Sequence, residues 1–116
     1  MTDAEDYAVL HPDGRVTYGR FPPGETAYEA IKREIPGLGT QGMGRLRAWF
    51  TDDFTGQAGN PLADVVLTAV GYQHPTGWAG PVAVSMEEDA TGTVPSLVPE
   101  VRAMIDELAA QHAPRS

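Results

Sequence analysis

One stretch decides the fold of this chain, residues 60–89, which read NPLADVVLTAVGYQHPTGWAGPVAVSMEED. Asn60 is a preferred N-cap residue, and Pro61 fits the first position of a helix. Apolar side chains then recur at helical spacing, at Leu62, Val65, Val66, Ala69 and Val70. The glycines and prolines of residues 71–80 predict a loop. Residues 81–86 predict a buried strand with one apolar face, formed by Val82, Val84 and Met86. The packing centre is therefore a helix, a loop and a strand.

The N-terminal part of the chain predicts a β-hairpin followed by a helix. Two β-prone runs, residues 7–10 and 16–19, flank a turn in which Pro12 sets φ and Gly14 accepts a positive φ. The helix begins at Thr26, because a threonine followed three residues later by a glutamate forms a capping box. It ends at the helix-breaking pair Pro36-Gly37.

The middle of the chain and its last helix complete the predicted elements. Residues 37–44 are rich in glycine, which favours a flexible connector. Residues 45–51 alternate as a strand does, with Leu46, Ala48 and Phe50 on the core side and Trp49 on the opposite side of the sheet. The last helix starts near Pro99 and carries one apolar stripe, formed by Val101, Met104, Ile105 and Leu108.

The element order β-β-α-β-α-β-α predicts an α+β protein. We expect a single two-layer domain over residues 1–116, with frayed tails at 1–6 and 113–116. Its sheet has about four strands, mostly antiparallel or mixed, and its three helices lie mainly on one face. The second helix is apolar over a wide arc, so either the other helices or a second subunit cover it, which leaves monomer and homodimer open. Full burial is predicted for Val66, Val84, Ile105 and Leu108.

Composition excludes several classes of function. The 116 residues carry a formal net charge of −8 and no cysteine. Thiol catalysis, disulfides and thiolate metal sites are therefore excluded. Direct nucleic-acid binding is not expected, since a phosphate backbone is repelled by this charge. No apolar run reaches the length of a membrane span, and the acidic N-terminus does not resemble a secretory signal, so a cytoplasmic location is expected.

The sequence shows no catalytic, cofactor-binding or metal-binding constellation. Residues 37–42 match G-x-G-x-x-G, but a helix precedes them and a strand follows, which is the reverse of a dinucleotide-binding unit. The three histidines, His11, His74 and His112, form no metalloprotease pattern. The acidic run Glu87-Glu88-Asp89 lacks the ligand spacing of a calcium loop and is interpreted as a solvated strand end.

Two binding surfaces are predicted, and they correspond to two function hypotheses. An acidic surface, formed by Glu87, Glu100 and Glu107, suits a non-catalytic accessory or interaction protein whose partner protein has a basic surface. An aromatic pocket suits a small-molecule-binding protein or enzyme, and it comprises Trp49, Tyr72, His74 and Trp78. The alternatives are that the carboxylates only solubilise the protein and that both tryptophan rings are buried under the loop.

The second half of the chain resembles a family of small uncharacterised proteins found in phages, plasmids and actinobacterial genomes. The resemblance is carried by the helix start Asn60-Pro61-Leu62-Ala63, by Gly71, and by the strand Gly80-Pro81-Val82-Ala83-Val84 with the acidic residues and final helix after it. It covers about residues 7–110 and implies a shared fold and a mobile-element origin. It implies no catalytic residue.

Overall fold

The computed structural model describes residues 5–35, 38–51, 56–71, 77–91 and 93–112. The first helix ends earlier than the predicted stop at Pro36-Gly37, because its last residue is Lys32 and Arg33 is its C-cap. Residues 36–37, and residues 1–4 and 113–116 of the predicted tails, lie outside the described ranges. Within the described ranges the chain forms five strands and three helices: β1 Tyr7–Leu10, β2 Val16–Gly19, α1 Ala27–Lys32, β3 Leu38–Met43, β4 Leu46–Thr51, α2 Pro61–Ala69, β5 Val82–Met86 and α3 Pro99–His112.

The described strands form one antiparallel sheet in the order β2-β1-β5-β4-β3. The predicted hairpin of β1 and β2 is confirmed, with Leu10 opposite Val16 and the His11 N–H bonded to the Arg15 carbonyl at 2.9 Å. Gly14 takes a φ of 91° in the turn, as only glycine does readily. The predicted buried strand is β5, which lies at the centre of the sheet between β1 and β4. The α+β class is confirmed.

The number of strands is a correction, because the sheet has five described strands instead of about four. The predicted connector at residues 37–44 is wrong where it is described, since Leu38–Met43 is β3. It pairs with β4 over its full length, from Leu38 opposite Thr51 to Met43 opposite Leu46. A two-residue turn with Gly44 at a φ of 66° joins the strands, and such short turns impose pairing on neighbours of low β-propensity.

The placement of the helices is a second correction. Helices α2 and α3 pack on one face of the sheet, which we call the two-helix face, where Val66 and Ile105 meet Ala8, Ala48 and Val84. The opposite face, called the α1 face, holds a separate cluster of Tyr7, Val9, Ile31, Ile35, Trp49 and Ala83. The prediction that the helices lie mainly on one face in two layers is wrong for α1. Alternation along each strand produces both clusters, because β1, β4 and β5 carry apolar residues on both sides.

Local predictions about burial and capping are confirmed with one exception. Val66, Val84 and Ile105 are fully buried, whereas Leu108 is only partly buried at the rim of the cluster on the two-helix face. Thr26 forms the predicted capping box with Glu29, and Asn60 caps α2. Glu5 and Asp6, in the tail predicted to fray, are hydrogen-bonded: the Leu97 N–H donates to the Glu5 carbonyl at 2.8 Å.

Candidate cleft on the α1 face

A cleft of about 670 Å³ opens on the α1 face, and we call it the α1 cleft. It exists because α1 has only six residues and covers only part of the sheet. Ile31 and Ile35 pack over β1 and β5, as far as Trp49 of β4. The rest of that face, toward the edge strand β3, stays open. The cleft is lined by Asp6, Phe21, Glu25, Thr26, Ala27, Tyr28, Thr40, Arg47, Trp49, Glu87, Glu88, Thr93 and Val94.

The floor of the α1 cleft contains a bidentate ion pair. Arg47 Nε donates to Glu87 Oε1 at 2.8 Å, and Arg47 Nη2 donates to Glu87 Oε2 at 3.0 Å. Arg47 Nη1 also donates to Thr40 Oγ1 at 3.1 Å. These hydrogen bonds from Arg47 hold the pKa of Glu87 below its ordinary value, so this carboxylate is ionised at neutral pH.

Gly42 of β3 allows this ion pair to lie across the edge of the sheet. A Cβ at this position would stand 2.7 Å from Glu87 Oε2 and 3.4 Å from Arg47 Nη2. Any larger residue would push the pair away from β3. The glycine that suggested a connector in the sequence therefore leaves room for the Glu87 carboxylate at the edge of the sheet.

One wall of the α1 cleft is aromatic. Trp49 is 6% exposed, and its Nε1 donates to Ser85 Oγ at 2.8 Å, which fixes the indole. Phe21 stacks on Tyr7 with ring centroids 5.3 Å apart. Tyr28 is 50% exposed at the start of α1, with Lys32 Nζ 5.5 Å from the centre of its ring. The wall offers a partner a fixed indole edge and an accessible phenol ring.

Carboxylates outnumber cations among the residues that line the α1 cleft. The acids are Asp6, Glu25, Glu87 and Glu88, and the base is Arg47. Glu25 pairs with Arg33 at 2.9 Å, and Asp6 Oδ2 accepts the Phe21 N–H at 2.8 Å. The Glu88 side chain is exposed at the mouth. The cleft therefore presents a negative potential to an incoming ligand.

The structure does not bring the two predicted tryptophans together. Trp49 lies on the α1 face, whereas Trp78 is 3% exposed on the two-helix face, edge-on to Phe50 with ring centroids 5.0 Å apart. Both rings are buried, which the alternative interpretation expected, but they lie on opposite faces of the sheet and not together under one loop. Tyr72 and His74, the other two members of the predicted pocket, lie outside the described residues.

The predicted acidic residues are spread over two faces. Glu87 lies in the α1 cleft. Glu100 lines a separate depression of about 440 Å³ beside α2 and α3, where Arg45 Nη1 donates to its Oε1 at 2.8 Å. That hydrogen bond lowers the pKa of Glu100. Glu107 is exposed on α3. Of the three, only Glu87 contributes to the cleft.

Sequence reasoning missed Thr40, Tyr28 and Glu25 as members of one site. The sequence predicts a connector at residues 37–44, so it gives no face of a sheet on which to place Thr40. Glu25 and Tyr28 flank the Thr26 cap, so their position at the helix start was readable, but their nearness to β3 was not. A strand assignment for residues 38–43 would have placed Thr40 opposite Trp49, but it would not have brought Glu25 and Tyr28 beside them.

Comparisons with known proteins do not assign this site. The chain matches no protein-family model, no curated protein and no solved structure. The resemblance to phage and actinobacterial proteins therefore stays a prediction. Within the described residues, acidic and histidine side chains form no group of three that could hold a metal ion. None of the helices in the same residues has the length and hydropathy needed to cross a membrane.

Proposed function

We propose that this protein is a non-catalytic binding module whose α1 cleft holds a positively charged segment of a partner protein. The observation that carries the proposal is the excess of carboxylates among the described residues of an open, preformed cleft. Arg47, the one guanidinium among those residues, is already paired with Glu87. A cationic ligand gains attraction from Asp6 and Glu88 without having to break that ion pair or the Arg33–Glu25 pair.

The shape of the α1 cleft favours a lysine or arginine side chain over a small inorganic cation. Long basic side chains combine an apolar stem with a charged end. Phe21 and Tyr28 offer apolar and aromatic surface for the stem, and the exposed face of a tyrosine ring attracts cations. The carboxylates beside the rings then take the charged end. A basic partner is also attracted at long range by the net charge of −8.

The proposal is tested by the binding of a fluorescent peptide of alternating lysine and valine, followed by anisotropy at low salt. Glu88→Lys reverses a charge at the mouth of the α1 cleft. Glu107→Lys makes the same change in net charge on α3, outside the cleft lining. We expect the first variant to weaken binding on the order of fivefold or more, since two charges about 4 Å apart in water interact by about 1 kcal/mol. The second should change it by less than about twofold.

The comparison separates a local site from a general charge effect. Equal weakening by the two variants would mean that only the net charge matters, and it would contradict a site in the α1 cleft. No binding of the lysine-valine peptide by the wild-type protein would overturn the proposal. A control peptide with glutamate in place of lysine should not bind.

A second candidate function is the binding of a small molecule in the same cleft. The observation that favours it is the volume of about 670 Å³, within the range of ligand pockets. A thermal-shift screen of small organic amines tests this alternative, because a ligand that binds the native state raises the melting temperature with concentration. A dose-dependent rise that Glu88→Lys abolishes would favour the small-molecule function.

A further inference from the structure

We propose that the positively charged segment binds as an added antiparallel strand along β3, with its basic side chains reaching into the α1 cleft. This inference rests on the function proposed above and specifies the form of the ligand. Within the described residues, β3 lies at the edge of the sheet and pairs with β4 alone. Thr40 and Gly42, in the middle of the strand, are exposed.

The register shows which backbone groups of β3 point away from the sheet. The Glu87 N–H donates to the Arg45 carbonyl at 2.7 Å. Arg45 and the odd-numbered residues of β4 therefore direct their backbone N–H and C=O groups toward β5. The even-numbered residues of β4 therefore face β3, and their opposite residues are Gly39, Gln41 and Met43. The alternate residues of β3 direct their N–H and C=O groups outward, and these are Leu38, Thr40 and Gly42.

The residues of β3 themselves carry no charge, proline or bulge that would protect the edge against strand addition. Proteins block exposed edges with lysines, prolines, bulges or very short strands. The six residues of β3, Leu-Gly-Thr-Gln-Gly-Met, contain no charge and no proline. Their register against β4 runs without a bulge. The outward groups of Thr40 and Gly42 can thus accept a partner strand, as in other complexes formed by strand addition.

The same register sets which side chains of the added strand enter the α1 cleft. Thr40 stands opposite Trp49 and Gly42 opposite Arg47, so both lie on the α1 face. Residues of an antiparallel partner that stand opposite Thr40 and Gly42 place their side chains on that face. The Glu87 carboxylate already reaches over Gly42. Every second side chain of the partner therefore lies on the face of the sheet that carries the cleft, and the side chain opposite Gly42 lies next to Glu87.

Charge complementarity selects a basic segment over a second copy of this chain. A second copy would bring another net charge of −8 and a neutral edge strand against the acidic cleft. A segment with lysine or arginine at alternate positions is attracted by the cleft while its backbone completes the hydrogen bonds of β3.

The test uses three forms of the lysine-valine peptide: unmodified, N-methylated at the lysines, and N-methylated at the valines. In an antiparallel added strand, residues whose side chains enter the α1 cleft also direct their N–H groups at β3. We therefore expect lysine N-methylation to weaken binding at least about tenfold, because it removes several backbone hydrogen bonds. Valine N-methylation should leave binding within about twofold, because those groups face away from β3.

A pair of protein variants tests the same contact from the other side. Thr40→Pro removes an outward N–H that the β3–β4 ladder does not use, whereas Thr40→Val keeps that N–H and removes the hydroxyl. The valine variant measures the effect of losing the hydroxyl, and binding of the unmodified peptide should be weaker again, by at least about tenfold, in the proline variant. If the proline variant does not fold, as judged by its thermal melt, the N-methylated peptides still decide the question.

Each remaining outcome bears on a different proposal. If both N-methylated peptides bind as tightly as the unmodified one, strand addition is overturned, while binding in the α1 cleft stands. If valine N-methylation is the one that weakens binding, antiparallel addition is overturned. If no peptide binds, both proposals fail. A concentration-dependent dimer of the wild-type protein, abolished by Thr40→Pro, would overturn the basic segment as the occupant of β3.

Discussion

At the scale of single residues, Asn60 joins three separate parts of the fold. Its Oδ1 accepts the Ala63 N–H at 3.0 Å, which caps α2. Its Nδ2 donates to the Leu10 carbonyl at 2.9 Å, at the end of β1, and to the Gly80 carbonyl at 2.8 Å, before β5. The residue is fully buried. The cap was readable from the sequence, but the two carbonyl contacts were not, because they join residues far apart in the chain.

Replacing Asn60 tests how much these contacts add to capping. Asn60→Ala removes the cap, which is worth about 1 kcal/mol, and leaves two buried carbonyls short of a donor at about 1–3 kcal/mol in total. We expect a loss of about 2–4 kcal/mol in the free energy of unfolding. The control is Thr26→Ala, which removes the exposed cap of α1 and should cost about 1 kcal/mol. Urea denaturation of both variants measures the loss in the free energy of unfolding. Equal losses in the two variants would show that Asn60 acts only as a cap.

At the scale of elements, α3 shows how far an amphipathic pattern can be trusted. The apolar stripe of α3 correctly predicted which side of the helix is buried. It could not distinguish residues in the centre of the core from residues at its edge. Ile105 is fully buried, whereas Leu108, one turn further, is only partly buried. Ile105→Ala should cost about 2–5 kcal/mol, the range for fully buried large-to-small changes. Leu108→Ala should cost clearly less, because its site is already partly open to solvent. Chemical denaturation measures both, and a larger loss for Leu108 would contradict the packing of α3.

The comparison of α1 with β3 explains which elements were predictable. The start of α1 was predictable because Thr26 and Glu29 form a capping box within one helical turn. Strand β3 has no such local signal, since two of its six residues are glycines. Its conformation comes from pairing with β4 across the short turn at Gly44. Local chemistry therefore predicted the helices and the first hairpin, whereas a strand that depends on its neighbour was missed.

At the scale of the whole molecule, the α1 cleft could not be predicted because stretches far apart in the chain build it. Asp6, the start of α1, the β3–β4 hairpin and the end of β5 meet only after the sheet has its order. Sequence alternation did predict that Trp49 faces away from Leu46 and Ala48. It could not say which helix would cover Trp49, or that Trp78 would be buried on the other face.

Two tyrosine–carboxylate contacts hold the helical layers to the first hairpin. The Tyr7 hydroxyl donates to Glu34 Oε2 at 2.7 Å, beyond the end of α1, and the Tyr18 hydroxyl donates to Asp106 of α3. Burial, followed by the hydrogen bond to Glu34, raises the pKa of Tyr7 from its ordinary 10.0 to about 12. Burial and the Asp106 contact also raise the pKa of Tyr18. Folding therefore favours the neutral form of both tyrosine side chains over the ionised form.

These shifts predict a loss of stability at alkaline pH. A phenol whose pKa is higher in the folded chain contributes stability that is complete below its unfolded value and is lost as the pH rises through its folded value. For Tyr7 the loss should run from about pH 10 to about pH 12. Urea denaturation across this pH window measures the free energy of unfolding. Lysine side chains also lose their protons there, but they do so equally in the wild type and the variants, so the comparison between proteins removes their effect. The difference between wild type and Tyr7→Phe should therefore shrink as the pH rises, because the variant has no phenol to ionise. The double variant Tyr7→Phe, Tyr18→Phe should flatten the curve further. An identical pH dependence in all three proteins would show that the tyrosine–carboxylate contacts do not hold the helices to the hairpin.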